Sequence, residues 1–95
     1  MTGVRIVDIE WDDEASGHLA RHGVTVREVI QVLRNRHLVR RSRKGASRVT
    51  LIGETDGGRV LEIAFDPSTE EGTWRLVTAF DAGAEARARF RQHVH

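Results

Sequence analysis

The sequence contains no cysteine and no tyrosine among its 95 residues. Without cysteine, disulfide bonds, thiol nucleophiles and thiolate metal sites are excluded. Apolar runs are only a few residues long, and the first eleven residues carry acids where a signal peptide needs an apolar segment. We therefore expect a cytoplasmic protein that does not cross a membrane. Its length predicts one domain over residues 1–95, with 93–95 as a frayed tail.

Acidic residues are missing from the window between Arg34 and Arg48, which holds seven of the fifteen lysines and arginines. The rest of the chain contains fourteen acidic and eight basic residues, so the net charge of +1 conceals a strongly dipolar chain. A guanidinium group binds phosphate or carboxylate through two parallel hydrogen bonds, which favours RNA or an acidic protein as partner. A solvated face is the alternative. The candidate RNA-binding residues are Arg40, Arg41, Arg43 and Lys44.

Alternation and periodicity of the apolar residues predict the secondary structure. The expected order is strand, helix, helix, strands and helix, at 4–11, 12–22, 26–35, 38–43, 48–54, 59–66, 73–80 and 81–92. Thr25 and Glu28 match a capping box, and Gly23 supplies the left-handed residue that ends the first helix. The apolar stripe of the second helix is Val26, Val29, Ile30 and Leu33. This order predicts an α+β domain of two layers, with an antiparallel sheet and helices packed on one face.

Motifs for nucleophilic catalysis and for nucleotide binding are missing as well. No serine is framed by glycines as in a nucleophile elbow, and no glycine-rich loop ends in Lys-Ser or Lys-Thr. His18 and His22 are four residues apart and would share a helix face that can hold a metal ion, but no third ligand is evident. The alternative is that both histidines pack where the helix meets the sheet. We predict no metal site and no cofactor.

RNA cleavage without a metal ion requires no nucleophile from the protein, because the 2′-hydroxyl of the substrate is the nucleophile. The protein supplies a base, an acid and positive charge around the phosphorus atom. Arginine, histidine, lysine and glutamate suffice for these roles, and the chain contains all four. A metal-independent ribonuclease is therefore compatible with the composition.

Two segments near the start of the chain are distinctive: Glu10-Trp11-Asp12, and the stretch LARHGV at 19–24 ahead of the capped helix. Weaker matches follow at 48–53 and 75–79. In these segments, and over residues 9–90 as a whole, the sequence resembles the BrnT-type toxins. These are small ribonucleases of type II toxin–antitoxin systems with a RelE-like fold.

The resemblance implies a toxin that cleaves mRNA and is neutralised by a ribbon-helix-helix antitoxin of the BrnA type, encoded by a neighbouring gene. Operator DNA would be bound only through that antitoxin. His22, Arg48 and Arg75 lie where family members carry a similar basic residue, so they are the candidate catalytic residues. His22 would be the acid or base, and the arginines would bind or stabilise the phosphate.

One departure from the family pattern is Phe80, which stands where an arginine is expected. In a regular strand Phe80 and Arg75 lie on opposite faces, so Arg75 could replace that cation only if the strand bulged. We expect Phe80 to fill core rather than to stack on a base, and Trp11 to anchor the first strand to the first helix. The alternative function is a toxin-like module that binds an antitoxin, an acidic protein or RNA without cleavage.

Overall fold

The computed structural model describes residues 5–41 and 47–94, which form an α+β fold with an open five-stranded sheet. The strands are β1 (Asp8–Glu10), β2 (His37–Arg41), β3 (Val49–Glu54), β4 (Val60–Pro67) and β5 (Thr73–Asp81). The helices are α1 (Asp13–Arg21), α2 (Val26–Arg34) and α3 (Ala84–Val94). None of these three helices is long and apolar enough to span a bilayer.

The strand order across the sheet is β1-β5-β4-β3-β2. From β2 to β5 all neighbours are antiparallel, as the sequence predicts, whereas β1 joins the outer edge of β5 in parallel. The first strand was expected at 4–11, of which residue 4 lies outside the described residues. Within residues 5–11 only Asp8–Glu10 pair with a neighbour, Thr73–Arg75, so β1 is shorter than expected. The predicted α+β class is confirmed.

Local signals in the sequence fix the ends of α1 and α2. The Asp12 carboxylate accepts the backbone N–H of Ala15 at 2.8 Å and caps the start of α1. Gly23 follows the end of α1 with a φ of 66°, a left-handed conformation that favours glycine. Thr25 and Glu28 form the predicted capping box at the start of α2.

The main core lies between one face of the sheet and the two helices α1 and α2. Its buried residues are Leu19, Val24, Val29, Val32, Val49, Leu51, Leu61, Ile63, Phe65, Leu76 and Ala79. In α2 the buried pair is Val29 and Val32, while Ile30, expected in the apolar stripe, is 38% exposed. The stripe therefore faces the sheet at a slightly different angle than its spacing predicts.

The third helix covers part of the opposite face of the sheet. Phe90 packs there against Ile52, Val60 and Ala82 in a second, smaller core. Ile52 and its neighbour Leu51 are both fully buried although they point to opposite faces, because helices lie on both sides of β3 at this point. The expected packing on one face thus holds for α1 and α2, and α3 is added on the other.

A β-bulge interrupts the alternation of β5. Ala64 pairs with Thr78, but the next residue of β4, Phe65, pairs with Leu76. Val77 is therefore the extra residue, which has no partner in β4.

The bulge changes which side chains of β5 share a face. Leu76 and Ala79 both lie in the main core, although they are three residues apart. Arg75 pairs with Asp66 and Phe80 pairs with Glu62, and both partners lie on the face of β4 that points away from that core. The expectation that Phe80 and Arg75 occupy opposite faces is wrong, because the bulge shifts the alternation by one residue.

Candidate functional site

Two arginines converge on one carboxylate at the end of the sheet. Arg48 directly precedes β3, Asp66 lies in β4, and Arg75 lies opposite Asp66 in β5. Arg48 Nε donates to Asp66 Oδ1 at 2.8 Å, and Arg48 Nη2 donates to Oδ2 at 3.1 Å. Arg75 Nη2 lies 3.9 Å from the same Oδ2. Asp66 thereby joins two of the three predicted catalytic residues.

The charges of this cluster differ in how firmly they are paired. The hydrogen bond from Arg48 lowers the pKa of Asp66 below its ordinary value, and the positive charges of Arg48 and Arg75 act in the same direction. The same bond raises the pKa of Arg48. Both hydrogen bonds to Asp66 come from Arg48, whereas Arg75 lies at the limit of an ion pair and is 54% exposed. A phosphate can therefore bind Arg75 directly, whereas Arg48 would first have to release its hydrogen bonds to Asp66.

Asp66 and Arg75 line a cleft of about 340 Å³ between α1 and β5. We call it the arginine cleft, and its other charged or titratable side chains are Asp12, Glu14 and His18. The cleft combines a cation for phosphate with groups that can transfer protons, because histidine titrates near neutral pH and glutamate can accept a proton. It also holds three carboxylates against two basic groups, so it is not a simple basic patch.

Of the five charged or titratable members of this cleft, sequence reasoning assigned only Arg75 to the catalytic site. Glu14 and His18 are four residues apart and adjoin the buried Ala15 and Leu19, so helical periodicity places them beside the core-facing stripe of α1. That signal was available, but it does not say which strand they face. Asp66 follows the alternating residues of β4, and its partner depends on a sheet register that the sequence does not reveal.

His22 lies at the other end of β5. It caps the C-terminus of α1, and its ring centroid is 5.8 Å from that of Phe80 in a tilted arrangement. Phe80 and Arg75 are five residues apart along β5, which corresponds to roughly 15 Å. The structure therefore brings Arg48 and Arg75 together and keeps His22 apart from them. Phe80 is half-buried and belongs to neither core, so the expectation that it fills core is wrong.

Arg59 organises the end of the sheet at which His22 lies. Its Nε and Nη2 donate to the two carboxylate oxygens of Asp81 at 2.6 and 3.1 Å. Its Nη1 and Nη2 also donate to the backbone carbonyls of Gly23 and His22 at 2.7 and 3.1 Å, and Glu28 is 3.3 Å away. Hydrogen bonding with Arg59 lowers the pKa of Asp81. Arg59 therefore ties α1, α2, β4 and β5 together, a structural role.

The arginine-rich window is divided by the alternation of β2. Arg40 lies opposite Thr50, on the same face of the sheet as Asp66 and Arg75. Arg41 lies opposite the buried Val49, on the face that α1 and α2 cover. Both arginines are exposed, while the predicted RNA-binding residues Arg43 and Lys44 lie outside the described residues. Of the four, only Arg40 is seen on the same face as Arg48 and Arg75.

His18 in α1 and His22 at its C-terminal cap do not form a metal site with a third ligand among the described residues. Across residues 5–41 and 47–94, no three side chains of histidine, aspartate or glutamate are grouped so that they could hold one ion. His18 instead lines the arginine cleft, and His22 contacts Phe80.

A solved structure shares this fold. The 1.1 Å crystal structure of the ribonuclease toxin BrnT of Brucella abortus matches with a TM-score of 0.62 at 20% sequence identity, covering 80% of this chain and 96% of that chain. No protein-family model matches the sequence, and no curated protein does. The resemblance predicted from the sequence is thereby confirmed at the level of the fold.

Proposed function

We propose that this protein is the toxin of a type II toxin–antitoxin system and that it cleaves mRNA in the arginine cleft without a metal ion. The observation that carries the proposal is the position of Arg75 and His18 in one cleft, with Arg48 held at its edge by Asp66. The fold shared with a ribonuclease toxin supports it.

The proposed division of roles follows from how each group is paired. Arg75 contacts the scissile phosphate first, and Arg48 joins it by exchanging its bond to Asp66 for one to a phosphate oxygen. Arg40, on the same face of the sheet, binds the RNA backbone beyond the cleft. With three phosphates neutralised, log K should fall against log salt with a slope near −2, from about 0.7 per contact on single strands.

The proposed reaction moves two protons and exchanges one bond at phosphorus. The 2′-oxygen of the RNA attacks the adjacent phosphorus and gives its proton to a base, while the bond from phosphorus to the 5′-oxygen breaks. That oxygen takes a proton from an acid, so the products carry a 2′,3′-cyclic phosphate and a 5′-hydroxyl. Glu14 as base and protonated His18 as acid can serve these transfers, because both line the cleft.

The chemistry is tested with purified protein, a labelled RNA oligonucleotide and a matched oligonucleotide that lacks the 2′-hydroxyl at each cleavage site. We expect cleavage of the RNA at the same rate with and without a metal chelator, and no cleavage of the deoxy version. Mass spectrometry should find a cyclic phosphate on the 5′ product. Loss of cleavage in chelator, or equal cleavage of both oligonucleotides, would refute the mechanism.

A second candidate function, binding without cleavage, is favoured by two observations. Arg48 is already engaged twice by Asp66, and Phe80 stands where the family pattern has an arginine. This alternative predicts that the protein binds RNA or an antitoxin but leaves RNA intact at high enzyme concentration. Growth arrest on induction that disappears with Arg75→Ala supports the nuclease, while harmless expression of folded protein supports the binding module.

The proposed partner in the cell is a ribbon-helix-helix antitoxin. A short reading frame beside this gene with a ribbon-helix-helix pattern, whose product copurifies with the protein and restores growth, would support that assignment. A neighbouring gene of another class would remove it without affecting the test of RNA cleavage.

A further inference from the structure

The large apolar side chains that the described residues expose are gathered in one place. They are Val7, Trp11, Ile30 and Val39, with exposed fractions of 66%, 46%, 38% and 39%. All four line a groove of about 430 Å³ between the segment around β1, helix α2 and strand β2. We call it the tryptophan groove. Exposed apolar side chains are normally scattered singly, and a contiguous cluster of them marks a binding surface.

Trp11 contributes to this groove instead of to the core. It was expected to anchor β1 to α1, but it is nearly half exposed. It also borders a second depression of about 500 Å³, which it shares with Ile30. The two depressions thus form one continuous surface with Trp11 and Ile30 at its centre.

Two arginines of α2 flank this centre. Arg27, Ile30 and Arg34 follow one another at spacings of three and four residues, so they lie along one stripe of the helix. The two arginines are about 10 Å apart along the helix axis, from a rise of about 1.5 Å per residue. Neither has an ion-pair partner among residues 5–41 and 47–94.

One carboxylate also borders the second depression, and it does not neutralise these arginines. Asp56 accepts a hydrogen bond from Asn35 Nδ2 at 3.0 Å, and its backbone N–H donates to Gln31 Oε1 at 3.1 Å. These contacts fix Asp56 in the turn after β3, where it forms no ion pair with Arg27 or Arg34. The surface therefore presents an apolar centre between two arginines that have no ion-pair partner among the described residues.

We propose that this surface binds an acidic amphipathic helix of another protein. Its apolar side chains would cover Trp11 and Ile30, and two of its carboxylates, seven residues apart, would pair with Arg27 and Arg34. A helix fits because two cations about 10 Å apart on either side of an apolar contact match the repeat of two helical turns.

Charge argues against a second copy of this chain as the occupant. In a two-fold dimer centred on Ile30, an antiparallel crossing of the two α2 helices would bring Arg27 of each copy near Arg34 of the other. Juxtaposed like charges disfavour such an interface and favour a partner with carboxylates at those places.

The tryptophan groove and the arginine cleft share no lining residue. A helix that covers Trp11 and Ile30 therefore need not cover Arg75 or His18. The binding proposal does not depend on RNA cleavage, and either can fail without the other.

The experiment uses two designed 18-residue peptides of high helix propensity, each with an apolar stripe. One peptide carries two glutamates seven residues apart, on either side of that stripe, and its matched control carries lysine at both positions. Binding to the full-length protein is followed in ¹H–¹⁵N NMR spectra, in which the indole N–H signal of Trp11 reports occupation of the groove. We expect the glutamate peptide to shift this signal and to bind at least tenfold more tightly than the lysine peptide.

Charge reversal on the protein provides the decisive comparison. In the double variant Arg27→Glu/Arg34→Glu the preference should invert, so that the lysine peptide binds more tightly than the glutamate peptide. Ile30→Ser should weaken both peptides, and the control Arg89→Glu on α3 should change neither. An inverted preference also shows that the variant is folded.

Three results would overturn the proposal. The first is equal binding of the two peptides to the wild-type protein, and the second is a Trp11 signal that neither peptide shifts. The third is a dimer of the protein in sedimentation that Ile30→Ser dissociates, because the groove would then serve self-association.

Discussion

Removing the side chain of Arg59 should destabilise the protein far more than removing any other arginine with a described ion pair. Its guanidinium donates to two backbone carbonyls at the end of α1, and hydrogen bonds to charged groups contribute about 1.5–3 kcal/mol each in general. Asp81 is 64% exposed, so its pairing with Arg59 counts as a surface ion pair of about 0–1 kcal/mol. Water can reach the freed carbonyls in the variant, which favours the lower end of these values.

For Arg59→Ala we therefore expect a loss of roughly 3–4 kcal/mol in the free energy of unfolding. In a domain of this length that corresponds to a melting temperature lower by roughly 12–30 °C, at about 4–8 °C per kcal/mol. Arg59→Lys keeps the charge but cannot reach Asp81 and the carbonyls together, so about half of the loss should remain.

The pH dependence of the stability tests the pairing of Arg59 with Asp81. The pKa of Asp81 is lowered in the folded state by its bond to Arg59. The ion pair between Asp81 and Arg59 therefore stabilises the folded state fully above the ordinary pKa of 3.8, and this stabilisation is lost as the pH falls through the lower folded-state value. Below about pH 3.8 the difference in unfolding free energy between wild type and Arg59→Ala should therefore become smaller.

The assay is urea and thermal unfolding followed by circular dichroism, with Arg89→Ala as the matched control. Arg89 forms an exposed ion pair with Glu85 one helical turn away, and its removal should change stability by no more than about 0.5 kcal/mol. The reasoning is refuted if Arg59→Ala and Arg89→Ala unfold at the same urea concentration.

Three further predictions concern packing and charge. Gly53→Ala should cost about 1–3 kcal/mol in urea unfolding, because the added Cβ would lie 2.7 Å from Val32 Cγ1, whereas Gly17→Ala has nothing within 4 Å and should not destabilise. Phe90→Ala should cost about 3–5 kcal/mol by emptying the core beneath α3, and an unchanged unfolding midpoint would contradict that packing. Asp66→Asn should release Arg48 and tighten RNA binding roughly three- to tenfold in a fluorescence anisotropy titration. Weaker binding would contradict the exchange proposed for Arg48.

Local signals in the sequence were sufficient to predict the order of the helices and strands and several of their ends. The capping box at Thr25, the left-handed Gly23 and the alternation in β4 depend on residues close together in the chain, so they could be predicted without a structure. The split of Arg40 and Arg41 between the two faces of β2 follows from the same alternation.

The candidate site was harder to predict because it depends on register. An extra residue at Val77 changes the face of every later side chain in β5, and no glycine or proline there signals a bulge. The pairing of Asp66 with Arg48 joins residues eighteen positions apart, which alternation alone cannot identify. His22 was chosen from the resemblance, whereas the structure shows His18 as the histidine in the cleft with Arg75.

The most direct test of the proposed site is the single-turnover rate of RNA cleavage in chelator for wild type, Arg75→Ala, His18→Ala and His22→Ala. We expect Arg75→Ala and His18→Ala to lose roughly 10²–10⁴-fold in rate and His22→Ala to stay within a few-fold of wild type, because Arg75 and His18 line the cleft and His22 does not. A large loss in His22→Ala with a near-normal rate in Arg75→Ala and His18→Ala would contradict this expectation and place the chemistry at the Phe80 end of β5.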